Sequence, residues 1–259
     1  MPTPPLSADP AERKEVFSSE ELAQVDFTRV PRHIAILMDG NRRWARMKKL
    51  APMVGHWEGA EVLDHIVRAA VQLGVKTLTV YAFSTENWNR SDSEIESLMN
   101  IFEMYLLRKK EMMVREGICL DAIGDLTRLP SRVRSAFDQT RQATRNCQKI
   151  NLILALNYGG RDEIRRAILQ ILERNDEKKI LPEELTEHYI SQFLDTKRWG
   201  DPELFIRTSG ELRVSNFLLW QLSYSEFYVT DVLWPAFAPK DLLQAVIAFQ
   251  TRQRRLGGG

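Results

Sequence analysis

"HIAILMDGNRRWARM", residues 33–47, decides how the chain reads. His33 to Met38 is apolar enough for a buried strand, and Asp39, Gly40, Asn41, Arg42, Arg43 and Trp44 follow with no polar linker between. An Asp-Gly pair alone is an ordinary surface turn. It leaves two arginines and a tryptophan unexplained. In a parallel α/β sheet, however, ligands sit beyond the carboxyl ends of the strands, where a buried run gives way to a polar loop.

Working outward, apolar strand-like runs recur at Val75–Phe83, Ile118–Ile123, Asn151–Leu156, Leu204–Ile206 and Glu226–Val229. Helical patterns lie between and after them: Gly59–Leu73, Ser93–Arg115, Pro130–Asn146, Asp162–Glu173, a pair near Pro182–Leu194, and Pro239–Arg255. Strands alternating with helices of this length predict one α/β domain, with a mainly parallel sheet flanked by helices on both faces. Residues 1–30, rich in Pro, Ser and charge, read as a mobile lead-in with one helical turn near Ser18–Gln24, and the folded domain is expected over residues 31–259.

The bulk numbers narrow the function classes. With 36 Lys plus Arg against 35 Asp plus Glu, the formal charge is +1, so no global basic field gathers nucleic acid and any anion site is local. Cys119 and Cys147 stand in no metal-like spacing and read as buried thiols. No apolar run approaches the roughly 18 to 20 residues that span a bilayer, and the N-terminus has no leader pattern. The expectation is a cytoplasmic protein with at most peripheral membrane contact.

Three polar segments fall at predicted strand ends: Asp39–Trp44; Ser84, Thr85, Glu86, Asn87, Trp88 with Arg90; and Arg207 to Asn216, including Arg213, Val214 and Ser215. Each alone has an ordinary reading as a turn, a cap or a solvated loop. Together they bring Arg43, Arg90, Arg207 and Arg213 to one face, where mutual repulsion calls for an anion between them. Guanidinium forks match phosphate oxygens, and Ser84 and Ser215 add hydroxyl donors, so a phosphate or diphosphate is the economical ligand. Asp39 facing such a group needs a bridging cation, and Mg²⁺ held by one or two carboxylates and substrate phosphates is the usual bridge. His56, at the start of the next helix, reads as a phosphate contact beside the simpler reading of a cap. The chain has no GxxxxGK[ST] loop, no GxGxxG after the first strand, no HExxH and no GxSxG. Residues 93–115 carry more apolar side chains than one core stripe needs, which suits a lipid-like substrate, a core or a dimer face alike.

"HIAILMDGNRRWA", "GHWEGAE", "YAFSTENWNR", "NYGGRDEI", "FIRTSGELRVSNFLLWQLSYSEFY" and "DVLWPAF" stand here in the order they have in cis-prenyltransferases, and from Pro31 onward the chain resembles that family, its bacterial undecaprenyl diphosphate synthases above all. The resemblance implies a six-stranded sheet enclosing a hydrophobic tunnel, a homodimer, and Mg²⁺-dependent condensation of isopentenyl diphosphate onto an allylic diphosphate, commonly farnesyl diphosphate. It places the essential aspartate on Asp39, the allylic diphosphate loop on Gly40, Asn41, Arg42 and Arg43 with Trp44 behind, and a histidine on His56. The proton-acceptor position falls on Asn87, though a neutral amide is a poor base and fits an orienting role better. The resemblance further places the second diphosphate site on Arg207, Arg213, Val214 and Ser215, a metal-carrying glutamate on Glu226, and an Arg-x-Gly tail on Arg255-Leu256-Gly257. Arg42 replaces a common glycine, and Pro52 replaces a phosphate-assisting arginine whose role could pass to Lys48 or Lys49. Three alternatives stay open: a short- or medium-chain synthase, a non-catalytic partner subunit, and a Mg²⁺-dependent phosphatase or nucleotide enzyme.

Overall fold

A computed structural model describes residues 15–177 and 179–252. Six strands, β1 His33–Leu37, β2 Thr77–Ser84, β3 Ile118–Ile123, β4 Ile150–Tyr158, β5 Leu204–Arg207 and β6 Glu226–Val229, form one sheet in the order β3-β4-β2-β1-β5-β6. Every neighbouring pair is parallel. The sheet is therefore wholly parallel, one step beyond the expectation of a mainly parallel one. All five β1 residues are buried, as a central strand covered on both faces requires. Ile34 and Ile36 point into the larger core, while Ala35 and Leu37 join a second cluster with Tyr158, Phe217 and Leu222.

The chain leaves β1 for β2 on one side and returns through β5 on the other, so the order reverses between β1 and β5. Crevices at such reversals are where α/β sheets bind ligands. Here Leu37 is in register with Arg207, so the two polar loops that follow β1 and β5 start side by side.

The helices are α1 Ser19–Leu22, α2 Asn41–Met47, α3 Pro52–Gln72, α4 Asp92–Glu116, α5 Ser131–Thr144, α6 Gly160–Glu177, α7 Glu187–Ser191 and α8 Pro239–Gln250. Pro52 opens α3 at a position where its missing N–H costs nothing. Ser91 caps α4 by accepting from Glu94 N–H, and Gly117, at φ 75°, ends it.

Four expectations need correction. The lead-in is not loose up to Pro31: Phe17 is 2% exposed, Val25 is buried, and the Val16 and Phe17 amides donate to Gln72 Oε1, because two apolar side chains are enough to fix the segment on the core. The helix assigned from Gly59 starts at Pro52, so His56 lies inside it rather than at its mouth. Asn41, Arg42 and Arg43, placed in a loop by the resemblance, open the helix α2. Cys119 and Cys147 are only half-buried. The last helix is described only to Gln250, and Arg255, Leu256 and Gly257 lie outside the described residues.

Candidate active site

Asp39 follows β1, and its carboxylate Oδ2 accepts from Arg207 Nη2 at 3.0 Å. Arg207 ends β5 and its side chain is 2% exposed, whereas that of Asp39 is 31% exposed, so the acid faces open space over a buried base. Arg207 Nη1 also donates to Ser215 Oγ at 3.0 Å and to the Arg213 carbonyl. Thr208 pins the two strand ends together: Asp39 N–H donates to its Oγ1 at 2.8 Å, and that hydroxyl donates back to the Asp39 carbonyl at 2.7 Å.

The loop after β5 is strained where it meets the site. Ser209, Ser215, Asn216 and Leu218 all adopt positive φ. Non-glycine residues pay for that conformation, and such clusters mark ligand clamps. Asn216 Nδ2 donates to Glu86 Oε1 at 2.8 Å, joining this loop to the one after β2.

Two cavities share a wall at Asp39. One, of about 590 Å³, is lined by Asp39, Gly40, Asn41, Arg42, Arg43, Arg46, Lys49, Pro52, His56 and Arg90 among others. The second, of about 530 Å³, takes Asp39, His56, Ser84, Glu86, Asn87, Arg90, Arg207, Arg213 and Ser215. A third, narrow apolar cleft of about 80 Å³ runs inward between α3 and α4. The hydrophobic tunnel that the resemblance implies is not shown as an open channel.

The repulsion argument for the arginines is corrected by two acids. Glu211 Oε1 accepts from Arg43 Nη2 at 3.2 Å and its Oε2 from Arg213 Nη1 at 2.5 Å. Glu94 Oε1 accepts from Arg90 Nη1 at 2.8 Å and lies 3.9 Å from both Arg42 Nη1 and His56 Nε2. The guanidiniums are thus neutralised internally before any ligand arrives. Neither acid was singled out from sequence. Glu94, one helical turn after Arg90, carried an i,i+4 signal, and Arg46 was likewise passed over as a cavity wall, whereas Lys49, named beside Lys48 as a stand-in for the arginine absent at Pro52, does line the first cavity.

His56 has its pKa lowered to about 4, first by burial and next by Arg90, so the imidazole is neutral at pH 7. Its Nε2 is buried without a hydrogen-bond partner among the described residues and lies at the wall common to both cavities. A buried polar atom in that state calls for a partner from outside the chain, a water or a ligand.

Asn87 Oδ1 accepts from Ser84 N–H at 3.1 Å, so the amide shows its NH₂ to the second cavity. It can donate there; it cannot take a proton. Trp44, Thr85, Trp88 and Val214 line neither large cavity. Lys48 sits 4.4 Å over the Trp44 ring, Trp88 donates to Asn157 Oδ1 at 2.7 Å under Arg128, and Val214 packs on the second core cluster. Trp44, Trp88 and Val214 support the loops rather than face the cavities, and Thr85 opens the short 3-10 turn Thr85–Asn89 after β2.

Glu226 is not brought to Asp39. It starts β6 opposite Leu204, at the amino end of the sheet, while Asp39 lies past the carboxyl end, and its Oε2 accepts from Arg252 Nη1 at 2.7 Å. Sequence order hid this, because a strand's direction decides which of its ends meets the site. Asp39 alone fits a Mg²⁺ ion: one oxygen is tied to Arg207, and its other oxygen makes no hydrogen bond among the described residues. One carboxylate plus substrate phosphates is the usual ligand set of that ion.

A family model described as putative undecaprenyl diphosphate synthase matches residues 37–257. The isoprenyl transferase of Prochlorococcus marinus subsp. pastoris is 47% identical over 235 residues, 91% of this chain and 86% of that one. The isoprenyl transferase of Chlamydia pneumoniae is 45% identical over 233 residues, 88% and 93% of the two chains. Among solved structures, lavandulyl diphosphate synthase from Lavandula x intermedia with dimethylallyl diphosphate superposes at a TM-score of 0.86, with 37% identity, over 89% of this chain and all of that one. A probable undecaprenyl diphosphate synthase from Campylobacter jejuni gives 0.73 with 32% identity over 88% and 99%. A parallel sheet with two arginine-lined cavities meeting at one aspartate is thus the site of an isoprenyl transferase-type enzyme. The chain belongs to the cis-prenyltransferase family that this model defines.

Proposed function

We propose that the protein condenses isopentenyl diphosphate onto an allylic diphosphate, farnesyl diphosphate first among the candidates, in a Mg²⁺-dependent reaction that forms cis double bonds. The observation that carries this is the position of Asp39 on the wall between two basic cavities, one for each diphosphate. The allylic diphosphate lies against Arg42, Arg43, His56 and Arg90; its departure leaves an allylic cation, and the same donors hold the charge that develops on the leaving group. Isopentenyl diphosphate lies against Arg207, Arg213 and Ser215 with its double bond toward that cation. Asn87 donates its NH₂ to a diphosphate oxygen and orients it, and that oxygen, or a water it holds, takes the proton that leaves the isopentenyl carbon beside the new cationic centre as the double bond forms. Mg²⁺ on Asp39 supplies Lewis-acid charge to the diphosphates when bound.

The names of the curated relatives and of the family support a long product, undecaprenyl diphosphate, feeding a lipid carrier for the cell wall. One observation favours a second reading, a shorter product: the apolar cleft holds only about 80 Å³. We further propose action as a homodimer in the cytoplasm, with peripheral membrane contact for product release. Among the described residues no helix is long and apolar enough to cross a membrane.

The test is incubation with labelled isopentenyl diphosphate and dimethylallyl, geranyl or farnesyl diphosphate, with and without Mg²⁺, followed by chromatography of the lipids. Chain growth that needs Mg²⁺ is expected. Release of diphosphate without chain growth would make the protein a phosphatase, and no turnover at all a partner subunit.

A further inference from the structure

Two stretches of sequence stand outside the reaction described above: Asn157 to Ile164, at the end of β4 and the start of α6, and Asn216 to Gln221, in the loop after β5. They interlock. Gly160 N–H donates to the Asn216 carbonyl at 2.7 Å, and Arg161 N–H donates to Asn216 Oδ1 at 2.9 Å. The first N–H groups of a helix have no partner within it, and the backbone and side chain of Asn216 take two of them here. The other side of the same amide donates through Nδ2 to Glu86 Oε1 at 2.8 Å. One side chain thus ties together α6, the loop after β2 and the loop after β5. Further along, the buried carboxylate of Glu163 on α6 accepts from Gln221 Nε2 at 3.0 and 3.1 Å, which fixes the other end of the loop.

The stretch between those two ties has a conformation that needs holding. Ser215, Asn216 and Leu218 have φ of 48°, 62° and 46°, a region that residues other than glycine keep only where their surroundings over-determine it. Asparagine is among the few side chains that visit it readily. Gly159 lets the tie close, because a Cβ there would stand 2.7 Å from both Asn216 Nδ2 and Thr85 Oγ1. Ser215, Arg213, Asn216 and Glu86 all line the second cavity, so the tie shapes its wall. Burial pushes the Glu86 carboxyl up, and the Asn216 donor leads the hydrogen bonds that outweigh this and hold it below its ordinary range. A charged Glu86 repels a diphosphate in the same cavity, so its direction matters to the ligand.

Resting on the prenyl-transfer reading, we propose that Asn216 is a positioning residue for the second diphosphate: by engaging Arg161 N–H and Glu86 at once, it holds Ser215 in its left-handed turn at the cavity wall and keeps Glu86 drawn to the loop. Both polar atoms of its side chain are engaged in those bonds. It acts through Ser215 and Glu86, and not on the reacting atoms.

The experiment measures kcat and KM for isopentenyl and farnesyl diphosphates in the wild type, in Asn216→Asp, in Asn216→Asp combined with Glu86→Gln, and in Gly159→Ala. Asn216→Asp keeps the acceptor for Arg161 N–H but sets a carboxylate against Glu86, so KM for isopentenyl diphosphate should rise about tenfold, the size of one charge-assisted bond, with KM for farnesyl diphosphate within about twofold of wild type. Adding Glu86→Gln puts a donor opposite the new acceptor, reversing the direction of the bond, and should return KM to within about threefold of wild type. Gly159→Ala pushes the amide away from Glu86 and should raise the same KM selectively, which keeps the assignment testable if Asn216→Asp does not fold. An unchanged KM for isopentenyl diphosphate in a folded Asn216→Asp or Gly159→Ala protein overturns the assignment. So does an equal rise for both substrates, or a double variant no better than the single one. Titration of isopentenyl diphosphate without an allylic substrate reads the same affinities with no turnover, so a wild type that binds it but grows no chain overturns the reaction and not the role of Asn216.

Discussion

Asp39 Oδ2 accepts from Arg207 Nη2 at 3.0 Å across the break between β1 and β5, pairing a half-open acid with a base that is 2% exposed. That contact fixes one carboxylate oxygen and leaves the other facing the shared wall of the two cavities. Asp39→Asn keeps an acceptor for Arg207 but removes the charge a cation needs. Turnover is expected to fall by about a hundredfold or more, since Lewis-acid stabilisation is worth several kcal/mol. The variant should stay folded, with a lowered thermal midpoint because Arg207 loses the charge of its partner inside the fold. Steady-state kinetics across a Mg²⁺ titration, with calorimetry beside it, checks both halves; near-normal activity would remove Asp39 from the reaction.

Arg207 and Arg213 share a cavity and differ in burial, and the difference separates their phenotypes. Arg207→Ala leaves Asp39 and Ser215 without a partner inside the fold and should cost about 2 kcal/mol of stability as well as activity. Arg213, whose side chain is 64% exposed, is partnered among the described residues only by the loop's own Glu211. Arg213→Ala should raise KM for isopentenyl diphosphate about tenfold, the worth of one charge-assisted bond, with no loss of stability. Denaturant melts and KM measurements on both variants decide it.

Glu94 occupies the place where three bases converge, so an incoming diphosphate competes with it. Glu94→Gln removes that competing charge. Inorganic pyrophosphate should bind about fivefold tighter at low salt, corresponding to about 1 kcal/mol for a partly exposed pair, and the gain should shrink as salt screens it. Isothermal titration at two ionic strengths reads this directly. Weaker binding in a folded variant would show that Glu94 chiefly positions Arg90.

His33 gives a pH dependence with a definite sign. Its Nδ1 donates to the Gly200 carbonyl at 3.0 Å and its Nε2 meets Thr79 Oγ1 at 2.8 Å, and burial lowers its pKa to about 4. The unfolded chain takes up this proton near pH 6.5 and the folded one only near pH 4, so stability is full above 6.5 and falls as pH drops toward 4. The loss at the low end is about 3 kcal/mol. Chemical denaturation from pH 7 to 4.5 should show that slope, reduced in His33→Gln.

Gly55 and Gly59 let α3 press against the first turn of α2, which carries Asn41. A Cβ at Gly55 would stand 2.1 Å from the Asn41 carbonyl oxygen, which is backbone and cannot swing aside. Gly55→Ala should cost about 1–3 kcal/mol and raise KM for the allylic substrate, because relief of the clash displaces Asn41 from the first cavity. Unchanged melting and KM would show that the start of α2 yields freely.

The sequence by itself determined the strands and their loops. An apolar run such as Ile34–Leu37 can only be satisfied by burial on both faces, and a polar cluster directly after it, such as Asp39–Arg43, can only lie at the strand's open end. Positions of Asp39, Arg43, Arg90, Arg207 and Ser215 around one crevice were therefore legible from local pattern. What the tertiary structure alone decided were the contacts between segments far apart in the chain. Glu211 reaching Arg43, Glu94 facing His56, and Glu226 standing at the amino end of the sheet all depend on strand register and helix docking. Those are set by how the whole core packs, and no stretch of residues encodes them locally.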